Sequence, residues 1–204
     1  MKFFACVVRA LGFLIIIQLA ACTTVVAPDA VDDPDLEWFL RQSQLNKINF
    51  WDIKGRLAVI NEPEVWHLSV SWKQQQQKYK IHLSGPFGAG AVLLTGDQNG
   101  VVIKSGDEIT YARDAEQLLY QSTGIQIPIQ NLFYWVRGLP NPKVHISNQK
   151  IDAYGRLKEL SQNDWIVRFK RYKKNNNIDL PSKVFIKKKS LDIRFVIESW
   201  SISG

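Results

Sequence analysis

The 204-residue sequence holds only two cysteines, Cys6 and Cys22, a single methionine at its start, and three histidines. Two cysteines exclude a disulfide framework, and no Cys-x-x-Cys pair supplies a thiolate metal or redox site. His67, His82 and His145 fall on separate segments, with no Glu, Asp or Cys at ligand spacing, so no metal site is expected. His67 and His82 come near each other on the polar face of two paired strands, where two solvated imidazoles are the plain account. A Gly-x-Ser-x-Gly elbow and a Gly-rich phosphate loop are both missing, and no enzyme is expected. The chain also lacks an apolar run long enough to cross a bilayer as a helix, which takes roughly 20 residues. Leu11 to Ala21, broken by Gly12 and Gln18, is too short.

That short run has a context. Lys2 and Arg9 flank it with positive charge, and it ends in Leu19-Ala20-Ala21-Cys22. Together these are a secretory signal closed by a lipobox: small side chains beside the scissile bond, then a thiol nucleophile for lipid attachment. The expectation is a cleaved signal peptide over 1–21 and a lipidated Cys22 carrying diacylglycerol and an N-acyl chain. An acylated tether then covers 22–34, followed by a folded domain over 35–204. No other cofactor is expected. Loss of Cys6 with the signal and lipidation of Cys22 leave neither a free thiol nor a disulfide. The domain must hold by packing alone, and 183 of the 204 residues suffice for one core. Of the net charge of +7, Lys2 and Arg9 account for two, leaving +5. The basic residues are dispersed, except for Lys187-Lys188-Lys189 and Lys170 to Lys174, which read as solvated runs at strand ends. Nucleic acid is not an expected partner in such a compartment.

Periodicity organises the remainder. Asp35 is expected to cap a helix with Leu36, Phe39 and Leu40 at helical spacing, ending near Asn46. From Phe50 the period becomes two: Ile53, Gly55, Leu57 and Val59, then Trp66, Leu68, Val70 and Trp72, then Tyr79, Ile81 and Leu83, each alternating with polar residues. Further strands are expected at Ala91 to Asp97, Val101 to Ser105 and Glu108 to Tyr111. A helix opens at Asp114 and ends at Gly124. Another opens at Pro128, with Leu132, Trp135, Val136 and Leu139 on one face, and stops at Gly138 and Pro140. Strands resume at Val144 to Asp152, Arg156 to Gln162, Trp165 to Lys170 (with Val167 and Phe169 on its apolar face), Leu180 to Ile186 and Leu191 to Trp200. Eleven strands and three helices predict an α+β fold built on an antiparallel meander with one buried face.

Seven Trp, six Tyr and ten Phe are a generous supply for one face of a sheet. They either fill a solid core or line an apolar cavity beneath a helical lid, and composition leaves both open. Ser84-Gly85-Pro86-Phe87-Gly88-Ala89-Gly90 is the second unusual feature, a loop of small residues with a phenyl ring at its tip. By itself the segment favours Phe87 folding back into the core, or standing as one tolerated exposed residue.

Taken in order, several pieces resemble the outer-membrane lipoprotein receptor family LolB. They are Gly55-Arg56-Leu57-Ala58-Val59, Trp72, Gly85-Pro86-Phe87-Gly88, Tyr111-Ala112-Arg113-Asp114-Ala115-Glu116, Leu132 through Trp135 to Gly138-Leu139-Pro140, Gln162 with Trp165, and Leu180-Pro181. With the lipobox they span nearly the whole chain. The family's loop tip is usually Leu, and here it is Phe87. The resemblance implies an incomplete antiparallel β-barrel whose helices cover a hydrophobic cavity. It implies a monomer, anchored in the outer membrane and facing the periplasm, that accepts acylated lipoproteins from the soluble carrier LolA and inserts them into outer-membrane lipid. Candidate acyl-binding residues are Leu57, Val59, Trp66, Leu68, Val70, Trp72, Ile81, Leu83, Leu132, Trp135, Val136 and Phe169. Pro86, Phe87 and Gly88 form the membrane-insertion loop. Thr23 after Cys22 suits outer-membrane delivery, because signals for inner-membrane retention favour Asp there. The alternative is a non-catalytic scaffold lipoprotein of an outer-membrane assembly machine, which calls for a solid core.

Overall fold

Alternation in the first two strands sets the inner face of the sheet. In β1 (Phe50–Asn61), Trp51, Ile53, Gly55 and Val59 are buried while Lys54 and Arg56 are exposed. β1 pairs along its length with β2 (Glu64–Gln75), placing Ile53 opposite Trp72, Gly55 opposite Val70, Leu57 opposite Leu68 and Val59 opposite Trp66. Cross-strand partners project from the same face, so the register gathers these side chains on one side. The meander continues through β3 (Lys78–Ser84), β4 (Val92–Asp97), β5 (Gly100–Ser105) and β6 (Glu108–Ala112). A second meander comprises β7 (Ile146–Ile151), β8 (Leu157–Gln162), β9 (Trp165–Asn175), β10 (Ile178–Lys188) and β11 (Leu191–Ile202). Pairing of β1 with β11 joins the two into one antiparallel sheet, ordered β6-β5-β4-β3-β2-β1-β11-β10-β9-β8-β7. This is the eleven-stranded incomplete barrel predicted, open between β6 and β7. At the β1–β11 seam, a bulge at Lys54/Gly55 brings the strands so close that a Cβ on residue 55 would overlap the Val196 carbonyl oxygen. Only glycine fits there.

The computed structural model describes residues 30–123 and 126–203. The expected signal peptide, Cys22, most of the tether and the helix stop at Gly124 lie outside the described residues. The chain is tied down by Val31, whose N–H donates to the Ala153 carbonyl at 3.0 Å. Helix α1 (Pro34–Asn46) starts two residues earlier than a cap at Asp35 would place it. Its cap is Asp33, not Asp35: the Asp33 carboxylate accepts from the N–H groups of Asp35 and Leu36, and Pro34 takes the first helical position. The buried face also differs. Trp38, Arg41 and Leu45 point inward, whereas Leu36, Phe39 and Leu40 are exposed by 55%, 68% and 47%. Apolar residues occur on both sides of this helix, and the side that packs is the one carrying the Trp38 ring and polar ties to the sheet. The Arg41 guanidinium donates to the Asp179 carbonyl and lies over the Tyr172 ring.

Helices α2 (Ala115–Thr123) and α3 (Ile129–Trp135) form the lid. Asp114 caps α2 by accepting from Glu116 N–H at 2.7 Å and Gln117 N–H at 3.4 Å. Leu132, Trp135, Val136 and Leu139 are buried as the spacing required. Gly138, at φ 79°, terminates α3: its N–H donates to the Trp135 carbonyl and Leu139 N–H to the Tyr134 carbonyl. Gln162, fully buried, locks this turn to β8. Its carbonyl accepts from Trp135 Nε1 and Asn141 N–H, and its amide nitrogen donates to the carbonyls of Asn141 and Val144. Every hydrogen-bonding position of that side chain is used.

Candidate functional site

The two meanders are filled differently. In the β7–β11 half, Leu157, Leu160, Val167, Leu180, Val184 and Ile186 have no exposure, and α1 is tied to this half through Arg41. In the β2–β6 half, burial falls along each strand. Trp72 and Val70 are buried, but Leu68 and Trp66 on the same face are only half-buried; Ile81 gives way to Leu83, and Leu94 to Val92. The core therefore stops partway, and a cavity of about 620 Å³ begins.

Its walls are Val59, Trp66, Leu68, Leu83, Gly90, Val92 and Ile103, with Ser105, Glu108 and Thr110 on one side and Leu119 and Ile127 from the lid. Eight of these are large apolar side chains or Ile/Val/Leu equivalents of them, and the polar three cluster on β5 and β6. The volume lies within the range of small-ligand sites, about 300–1,000 Å³. A side chain links the two lid helices: the Glu116 carboxylate on α2 accepts from Gln130 N–H on α3 at 3.1 Å. Partial burial pushes this carboxyl above its usual range, opposed by the Gln130 bond. Among the described residues there is no cluster of His, Cys, Asp or Glu able to hold a metal ion. His82 lies opposite Ser71, four residues along β2 from His67, so the two imidazoles are not neighbours.

Of the twelve acyl-binding candidates, the structure brings Val59, Trp66, Leu68 and Leu83 together around the void. Leu57 shares their face and is half-buried. The other seven, Val70, Trp72, Ile81, Leu132, Trp135, Val136 and Phe169, do not border this cavity. They are buried in the continuous core, where Trp72 packs on Trp51 with ring centroids 5.1 Å apart and Trp135 on Trp165 at 6.1 Å. Alternation identifies a face but not where along the strand packing ends. Sequence reasoning missed eight wall residues: Gly90 in the loop, Leu119 and Ile127 from the lid, and Val92, Ile103, Ser105, Glu108 and Thr110 on strands. The last five follow from register: Leu83 pairs with Val92, Val92 with Ser105, Ser105 with Glu108 and Ile103 with Thr110.

The glycine-rich loop borders the cavity through Gly90, and Phe87 is its outermost point. The ring is completely exposed and Phe87 sits in the left-handed region, at φ 57° and ψ 22°. Such a conformation costs a non-glycine residue about 1–2 kcal/mol, and exposing the ring forgoes another ~1.5–3 kcal/mol of burial. The ring does not fold back into the core. The loop is nonetheless well defined by its own bonds: Gly85 N–H to the Ala89 carbonyl at 2.7 Å, Gly88 N–H to Gly85 at 3.1 Å and Ala89 N–H to Pro86 at 3.2 Å. Gly88 and Gly90 also take positive φ, which glycine alone adopts without strain.

The hollow is thus lined mainly by apolar side chains, and the loop that carries Phe87 reaches it through Gly90. The family model "Outer membrane lipoprotein LolB" matches residues 49–200. The chain belongs to the LolB family. Among LolB relatives named "Outer-membrane lipoprotein LolB", that of Nitrosococcus oceani is 35% identical over 188 residues, covering 92% of this chain and 94% of its own. That of Alkalilimnicola ehrlichii is 33% identical over 186 residues, covering 91% and 92%. Among solved structures, a LolA superfamily protein from Nitrosomonas europaea aligns over 80% of this chain and 94% of its own, with a TM-score of 0.51 at 5% identity. A DUF1329 family protein from Desulfovibrio piger aligns over 84% and 94%, also with a TM-score of 0.51, at 7% identity. At such identities the likeness is one of fold alone. None of the described helices is long and apolar enough to cross a membrane.

Proposed function

We propose that this chain is an outer-membrane lipoprotein receptor, anchored through acylated Cys22 and facing the periplasm. It takes the acyl chains of arriving lipoproteins from the carrier LolA into the cavity under α2 and α3, then releases them into the membrane. The observation that carries this reading is the coincidence of an apolar cavity of about 620 Å³ with the fully exposed Phe87 on the loop whose Gly90 lines it. A lipoprotein cannot cross water with its chains bare, since each exposed CH₂ costs about 0.8 kcal/mol. Without a nucleotide to drive transfer, each handover runs down a gradient of affinity for those chains, and an apolar wall of Val59, Trp66, Leu68 and Leu83 supplies the lower step. A scaffold with a solid core has no use for this void.

The test is reconstitution. Purified protein is mixed with carrier-borne, fluorescently labelled lipoprotein, and transfer is followed by co-purification. Leu68→Trp fills the cavity from a half-buried position, so acceptance is expected to fall at least about tenfold while thermal melting stays within a few degrees, as volume added beside a void costs little strain. Normal acceptance by a folded Leu68→Trp protein rules the cavity out as the acceptor.

A further inference from the structure

The two free edges of the sheet are built differently. β7 is a guarded edge: Ser147, Asn148, Gln149 and Lys150 are exposed and polar, and its pairing with β8 is interrupted by irregularities at Ile146/Asn148 and Lys150/Ile151. Bulges and lysine are common devices against unwanted strand pairing. β6 has neither. Its five residues keep an unbroken register with β5, and its outward side chains include Ile109 and Tyr111, exposed by 49% and 75%.

The orientation of its backbone follows from the hairpin. Gly106-Asp107 is a two-residue turn, which makes Ser105 and Glu108 a hydrogen-bonded pair. Alternation then turns Thr110 and Ala112 toward β5, and the N–H and C=O groups of Ile109 and Tyr111 toward the open side. Among the described residues, no backbone hydrogen bond from another element reaches those groups. The same strand is a wall of the cavity: the side chains of Glu108 and Thr110 face the void, beside Ser105. These are also its polar wall residues, at the place where a lipid's apolar chains give way to its polar linkage.

We infer that β6 is the docking strand for the extended polypeptide that follows the acylated cysteine of a lipoprotein cargo. This rests on the receptor reading above. With the acyl chains in the cavity, the modified cysteine lies at the polar wall by Glu108, and the residues after it continue along the open edge. There the backbone of Ile109 and Tyr111 pairs with them and the two side chains flank them. A span of five residues, about 16 Å, is enough. Main-chain pairing accepts any sequence, which suits a receptor whose cargoes share an acylated cysteine and little else. This chain's own Thr23-Thr24-Val25-Val26 shows what such a tether contains: small and β-branched residues that pair readily as a strand.

The experiment uses the full-length acylated protein in detergent with carrier-borne lipoprotein. A benzophenone amino acid replaces Tyr111 in one sample and Asn148 in another. Irradiation after acceptance is expected to join position 111 to the first few residues beyond the cargo cysteine, and position 148 to nothing in that segment. In parallel, Ile109→Pro removes the open-side N–H while leaving the ladder to β5 intact. It is expected to lower acceptance several-fold at unchanged melting temperature, with Ile109→Val retaining full acceptance. Equal cross-linking from both edges, cross-links from position 111 to a second copy of this chain instead of the cargo, or acceptance without any tether cross-link would overturn the inference. If the unsubstituted protein accepts no lipoprotein at all, the receptor reading itself fails, which is a separate result.

Discussion

At the scale of single residues, Phe87 decides most. It is exposed and left-handed, so two unfavourable features are kept together at one position. Phe87→Glu introduces no new backbone strain, because both side chains meet the same left-handed penalty. Stability is expected to change by less than about 0.5 kcal/mol, as at other surface positions. Release into liposomes is expected to fall markedly while acceptance persists, because a carboxylate resists entry into an apolar layer. Thermal melting and a liposome delivery assay check the two halves, and normal delivery at normal stability means that Phe87 is no membrane probe. The sequence shows this residue clearly but not its direction: a ring flanked by glycines is compatible with either a tucked or an exposed place. Three backbone bonds within the loop settle the matter, and no periodicity encodes them. Gln162 is the opposite case. Its position beside Trp165 gives no hint that it closes four hydrogen bonds in the core.

At the scale of elements, strands and helices were both legible in position, whereas the buried face of α1 was not. A period of two with one apolar face predicts which side of β1, β2 and β3 is buried, because a one-residue slip would expose every large side chain, while the strands themselves run one to three residues past the alternating runs. Helix α1 shows the limit. Its apolar residues surround the axis, so spacing alone cannot choose between Leu36-Phe39-Leu40 and Trp38-Leu45. The choice falls to distant partners, and Arg137 is one of them. It donates to the Leu45 and Ile48 carbonyls just where α1 ends, and to the Phe133 carbonyl in α3. Burial without a carboxylate partner lowers its pKa to about 10, so it remains charged at neutral pH. Arg137→Ala removes all three of these hydrogen bonds from a largely buried site, and urea unfolding should show a loss of about 3 kcal/mol or more. Arg137→Lys should recover little, because one ammonium cannot serve both helices. The lid gives a pH prediction. The Glu116 carboxyl is raised by desolvation, so the folded state binds its proton more tightly than the unfolded chain, whose value is near 4.5. Its charge therefore burdens the fold above the raised value, and the burden is relieved as pH falls toward 4.5. Glu116→Gln keeps an acceptor for Gln130 N–H and should melt higher than the parent at pH 7, with the difference vanishing below the ordinary Glu pKa. A difference that grows on acidification contradicts this.

At the scale of the whole molecule, one half is solid and the other hollow, and stability should map onto that division. Leu160→Ala, at a site with no exposure, is expected to cost 2–5 kcal/mol, the usual range for a buried leucine. Leu83→Ala, beside an existing void, should cost about 1 kcal/mol while enlarging the space available to an apolar dye. Equal losses in denaturant titrations would mean that both halves are equally packed. The sequence supplied the sheet and its aromatic wealth but not this asymmetry, because alternation is the same along strands that end in core and strands that end in cavity. The missing eleventh pairing is the feature with the widest reach. Among the described residues, no ladder of backbone bonds joins β6 to β7. Prising those two edges apart breaks none of the pairings that hold the sheet, so girth is an inexpensive variable and the vessel has an elastic seam. The two edges can then draw apart or together while every pairing within the sheet stays in place.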